Sequence, residues 1–121
     1  MKSILKKLTL LAATAICLGT TPSAKADILD TDVIYEGQTV TYTVRLYAGQ
    51  CVSYGVRTDN DGWDVDLFAA DYSGDCLDSD TLDDACPVVA FVAPYSGAFK
   101  ITVLMVDTTP GVPAAFQLIS L

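Results

Sequence analysis

The sequence predicts an all-β protein: an antiparallel, jelly-roll-like β-sandwich of about seven or eight strands, preceded by a cleaved signal peptide. Three observations predict it. Apolar residues recur at every second position in several runs, which is the period of a half-buried strand. Glycine, proline, asparagine and aspartate break these runs at short intervals. No segment sustains a helical apolar period, and strands of similar length at short spacing indicate a sandwich.

Residues 1–26 stand apart as a leader. Lys2, Lys6 and Lys7 form a basic start, Leu8 to Leu18 an apolar core, and Ala24-Lys25-Ala26 a small-x-small cleavage site. The apolar run is shorter than the roughly 20 residues that span a bilayer. Cys17 raises a lipoprotein alternative, but a lipid-modified cysteine follows a small residue, and Ile16 is large and branched. Asp27 is then the first mature residue, and residues 27–121 form one domain with one modest core. No second hydrophobic stretch of spanning length follows, so no membrane insertion is expected after the leader is removed.

Four of the seven basic residues lie in the leader. Residues 27–121 keep Arg45, Arg57 and Lys100 against all fifteen acids, a net charge of −12. Such a charge repels nucleic acid and anionic lipid. Three cysteines remain: Cys51, Cys76 and Cys86. Export to an oxidising compartment favours a disulfide, and an odd count leaves one thiol over. Cys76 and Cys86 bracket a short polar loop, and a bridge between them would contribute about 2.5–3 kcal/mol. Cys51 is then a free thiol, behaving as a small apolar residue or joining a second chain as a dimer.

The strands follow in order. From Gln38 to Tyr47, Val40, Tyr42, Val44 and Leu46 share one face, and Thr39, Thr41, Thr43 and Arg45 the other. Ala48-Gly49 turns the chain into Cys51–Arg57, with Val52, Tyr54 and Val56 on one side. The stretch Asp59 to Cys86 then holds ten of the fifteen acids and the only tryptophan, while Val65, Leu67 and Ala69 alternate through it toward a core. Pro87 to Ala93 is almost wholly apolar, as for a strand buried on both faces. Pro94 to Gly97 is a turn; Phe99, Ile101, Val103 and Met105 point one way; and Ala114 to Leu121 closes the fold.

The order of these features resembles a known family. A G-Q-T-V-x-Y start (Gly37 to Tyr42) precedes A-G-Q (Ala48 to Gln50), then D-V-D-L-F (Asp64 to Phe68), a D-C…C loop (Asp75-Cys76 to Cys86) and A-P-Y-S-G-A-F-K-I-T-V (Ala93 to Val103). Over Val33 to Leu121 the chain resembles the bacterial pre-peptidase C-terminal domain, a small β-sandwich commonly appended to secreted proteases and other exported enzymes. Phe68 and Phe99 stand where that family usually has tyrosine, and here the module follows a signal peptide with no catalytic domain between.

Candidate chemistry is narrow. The chain has no histidine, which removes Ser-His-Asp and Cys-His catalysis and imidazole-held zinc. Asp59, Asp61, Asp64 and Asp66 put four carboxylates in eight residues, and oxygen-only ligands suit a hard cation such as Ca²⁺. They do not make an EF-hand: with Gly62 at the sixth position, Arg57 falls first and Phe68 twelfth, where carboxylates are required. Some members of the resembled family bind calcium through acids near the domain start together with sandwich loops. The resemblance implies Asp30, Asp32 and Glu36 for the former, and Asp64 or Asp66 for the latter. The competing role for these aspartates is to cap turns and accept backbone N–H bonds. Trp63, Tyr72 and Tyr95 are candidate exposed aromatics for stacking on a sugar or anchoring a protein, against packing at the sandwich ends.

The expected protein is therefore an exported, non-catalytic binding or accessory module, periplasmic or extracellular. It would recognise a polysaccharide or a protein, with no required cofactor and with Ca²⁺ as a stiffener of its loops. The alternatives are a structural subunit of a surface assembly, joined through an edge strand or Cys51, and last an acid-pair hydrolase.

Overall fold

The computed structural model describes residues 3–7, as backbone, and 26–121. Most of the leader, including Leu8 to Leu18, Cys17 and the Ala24-Lys25 half of the cleavage site, lies outside the described residues. Nine strands are described: β1 (Ser3–Lys7), β2 (Asp27–Ile34), β3 (Thr39–Leu46), β4 (Cys51–Thr58), β5 (Asp64–Asp71), β6 (Cys76–Asp80), β7 (Val88–Val92), β8 (Gly97–Asp107) and β9 (Ala114–Ser120). The eight strands from Asp27 onward form two antiparallel layers, ordered β3-β8-β5-β6 and β2-β9-β4-β7. β1 adds to the first layer, parallel to β3, with Ser3 opposite Thr39 and Lys7 opposite Thr43.

The alternation places the core where the sequence puts it. Val40, Tyr42, Val44 and Leu46 of β3, Val65, Leu67 and Ala69 of β5, and Phe99, Ile101, Val103 and Met105 of β8 face Tyr54 and Val56 of β4, Val89 of β7, and Phe116 and Leu118 of β9. Burying these side chains is the main favourable term, at roughly 1.5–3 kcal/mol for each large one.

Two turns share one construction. In Tyr35-Glu36-Gly37-Gln38 and Tyr47-Ala48-Gly49-Gln50, the glutamine N–H donates to the tyrosine carbonyl at 3.0 Å in both. The glutamine Oε1 accepts the same tyrosine's N–H, at 2.8 Å and 3.0 Å. Gly37 and Gly49 sit at φ of 81° and 82°, the left-handed region that a type II turn demands at its third residue. Each turn is tied to its sheet by the glycine N–H, which donates to the carbonyl of Met105 or of Ala93.

One strand departs from expectation. β7 is not buried on both faces: it is the edge of its sheet, and Val88 and Val92 are 44% and 55% exposed. Its apolar run reflects one face on the core, carrying Val89, and an outer face that is itself apolar.

Candidate functional site

The acidic segment begins with a tight turn. Asn60 Oδ1 accepts the Gly62 N–H at 2.9 Å, and the Trp63 N–H donates to the Asn60 carbonyl, leaving Asp59 and Asp61 exposed. β5 follows with Asp64 and Asp66 on the outer face, where Asp64 stands opposite Asp107 of β8. Burial raises the Asp64 carboxyl above its usual range, and the charges of Asp83, Asp107 and Asp84 add to the effect. Burial likewise raises Asp66, with Asp64, Asp80 and Asp84 beside it. Asp64 Oδ1 and Asp66 Oδ1 are buried and have no hydrogen-bond partner among the described residues.

Asp78 and Asp80 do something different. Asp78 Oδ2 accepts the Ala90 N–H at 2.8 Å, and Asp80 Oδ2 accepts the Val88 N–H at 2.9 Å. Their other oxygens accept the Ser79 and Leu82 N–H groups. β6 and β7 are edge strands of opposite sheets, so these two carboxylates fasten one side of the sandwich and satisfy the edge amides of β7.

The same staple overturns the expected Cys76–Cys86 disulfide. Both thiols are free and exposed, and Cys76 Sγ lies 3.6 Å from the Asp78 carbonyl. β6 is extended, so Cys76 sits four residues back from Asp80, about 13 Å at strand spacing, while Cys86 lies two residues before Val88, at the opposite end of the staple. A disulfide needs Cα atoms within about 7 Å. Cys51 is disulfide-bonded and is not among the free thiols.

The acids implied near the domain start are occupied separately. Asp30 Oδ2 accepts the Tyr42 hydroxyl at 2.8 Å. That phenol is held far above its ordinary range, first by burial, then by the hydrogen bond to Asp30 and the charges of Asp30 and Asp32. Burial alone pushes Tyr54 up to about 12. Asp32 Oδ1 accepts the Val33 N–H, and Glu36 Oε1 accepts the Thr108 N–H at 3.0 Å. Among the described residues no group of three or more acidic or cysteine side chains is placed to hold a metal ion. The seven acids expected around calcium lie on β2, the β2–β3 turn, the Asn60 turn and β5.

The aromatics are mostly structural. Trp63 packs against the core and Tyr95 stacks on Phe99 at 4.9 Å between ring centroids. Tyr72 and Tyr95 are both exposed, Tyr72 the more so, and Lys100 Nζ lies 4.8 Å from the Tyr72 ring centroid. A cleft of about 220 Å³ opens between Thr31, Arg57, Thr58, Asp59 and Gln117.

No family model matches the chain, and no curated protein matches it. Its fold is shared with solved structures at low identity. The pre-peptidase C-terminal domain of a collagenase from Bacillus anthracis superposes with a TM-score of 0.66 at 11% identity, covering 100% of this chain and 98% of that one. CorA, a surface-associated copper-binding protein of Methylomicrobium album BG8, gives 0.64 at 7% identity, covering 99% of each. PliG, a periplasmic inhibitor of g-type lysozyme from Aeromonas hydrophila, gives 0.57 at 13%, covering 98% and 97%. The fold expected from the resemblance is therefore present, and at these identities the likeness is one of fold.

Sequence reasoning missed the Asp78–Asp80 staple and the strand character of β2 and β6. An alternation was available in Asp78-Ser79-Asp80, but it carries no apolar face to mark it. The Tyr72–Lys100 contact follows from β8 running beside β5, with Lys100 opposite Ala70.

Proposed function

We propose that this chain is an exported, non-catalytic binding module whose partner is a protein with a cationic surface. The observation that carries it is charge: residues 27–121 hold three basic residues and fifteen acids on a fold built without histidine. Complementary charge steers encounter and rejects acidic competitors. The likeness of fold to a periplasmic inhibitor protein and a surface-associated binding protein supports the same class and compartment. A sugar platform is less favoured, because Trp63 packs against the core, the Tyr95 ring is stacked on Phe99, and Lys100 lies over the Tyr72 ring. The described cleft, at about 220 Å³, is also smaller than an ordinary small-molecule pocket.

The test is calorimetric titration of the exported protein against a g-type lysozyme and against an acidic protein of similar size, at low and at physiological salt. Saturable binding to the cationic protein that weakens as salt rises supports the reading. Absence of binding at low salt, together with retention on a polysaccharide column, would overturn it.

A further inference from the structure

The two sheets present four strand edges, and three carry their own protection. β2 is acidic and has a register break between Ile28 and Asp30. β6 is five residues long and carries Asp78 and Asp80. The edge amides of Val88 and Ala90 in β7 are bonded by those two carboxylates. Short strands, charge, bulges and side-chain cover are the usual devices against unwanted pairing.

β3 has only one of them, the single charge of Arg45, which lies beyond the stretch Thr39–Thr43 that β1 covers. It runs eight residues in unbroken register with β8, from Thr39 opposite Leu104 to Leu46 opposite Gly97. It holds no acid and no proline, and its outward positions, Thr39, Thr41 and Thr43, are β-branched residues suited to a strand. Its cover is β1, five residues in parallel register over Thr39 to Thr43. β1 belongs to the leader that the sequence marks for removal.

We propose that Ser3–Lys7 is a stand-in strand, and that in the exported protein the outer edge of β3 takes an extended, lysine-bearing segment of a partner protein in the same register. Main-chain bonding to an open edge supplies the affinity in such additions. The chemistry of the occupant follows from the page: the strand that fits this edge carries Lys6 and Lys7, and the body it docks on has a net charge of −12. This inference rests on the binding-module reading and adds the surface at which the partner is held.

The probe is a synthetic peptide of residues Lys2–Leu8, titrated into the exported protein while amide exchange is followed by NMR. The expected result is exchange slowed about tenfold or more at alternate amides of Thr39–Thr43, with β2, β6 and β7 unaffected. N-methylation of alternate peptide residues should abolish this in one phase and spare it in the other, because one side of a strand bonds the edge. Unchanged β3 amides would overturn the inference. So would an exported protein whose mass still includes Ser3–Lys7, or one that dimerises through β3. If the lysozyme binds and β3 stays silent, the inference alone falls. If the peptide protects β3 and no cationic protein binds, the functional reading falls instead.

Discussion

Removing the carboxylate staple tests the account of the acidic segment most directly. The perturbation is Asp78→Ala with Asp80→Ala, and the control is the corresponding double asparagine variant. Asp78 and Asp80 each take one β7 amide, at 2.8 Å and 2.9 Å. A hydrogen bond to a charged group contributes about 1.5–3 kcal/mol when water is excluded. Here the Val88 and Ala90 side is exposed, so water recovers part of the loss, and about 1 kcal/mol per bond is the reasonable figure. The double alanine variant should lose about 2 kcal/mol. For a domain of this length that lowers Tm by about 8–16 °C. The asparagine variant keeps an acceptor oxygen and loses only the charge, so it should fall about half as far.

The assay is urea unfolding with amide exchange on the same samples. Both amides should exchange faster in the alanine variant, and sedimentation should show self-association as the β7 edge opens. A loss under about 0.5 kcal/mol with Val88 and Ala90 still protected would refute the reasoning, since surface substitutions away from specific features cost no more than that.

Four further outcomes follow. Burial and neighbouring acids raise Asp64 and Asp66, so the folded state binds their protons more tightly than the unfolded chain does; their contribution to stability grows as pH falls from neutral toward 3.8. Asp71 is lowered, chiefly by the Ser73 hydroxyl, and its contribution is lost below 3.8. Tm should therefore rise on mild acidification and then fall, and Asp64→Asn should stabilise at pH 7 by about 0.2–1 kcal/mol while flattening the rise. Tyr42→Phe removes the buried hydroxyl that donates to half-buried Asp30 and should cost about 1–2 kcal/mol, read by urea unfolding. Gly49→Ala meets no atom within 4 Å, so its cost is backbone strain alone, about 1 kcal/mol, read as a lower Tm. Cys76 and Cys86 should both be alkylated in the folded protein, giving a mass increase of two labels. A protected pair would contradict the free thiols.

What was legible in the sequence was whatever is decided locally. β3 and β8 alternate so regularly that their inward faces could be named residue by residue, and all eight of those side chains are buried. The Gly37 and Gly49 turns were marked by a residue type that tolerates φ near 80°. β7 failed because an apolar run is the same in sequence whether its second face meets a layer or ends a sheet; only the strand order makes it an edge. The cysteine pairing failed for a related reason. A short separation permits closure only if the chain turns back, and the segment after Cys76 instead runs straight for five residues.

The acids show the limit most sharply, because one residue type carries three roles within a single stretch. Asp71 closes its own turn through Ser73 and Asp75, contacts two and four residues away that local reading could have found. Asp78 bonds an amide twelve residues on, in the opposite sheet. Asp64 and Asp66 meet mainly other acids, so their ionisation costs stability. Asp59, Asp61, Asp64 and Asp66 are four carboxylates within eight residues, and a loop would draw them together. Alternation on a strand does the opposite: it spaces Asp64 and Asp66 along one face, while the Asn60 turn carries Asp59 and Asp61 out to solvent. Carboxylates converge on an ion when a loop curls around it. This segment is strand on both sides of a turn at Tyr72-Ser73, so its acids are placed to meet backbone and one another.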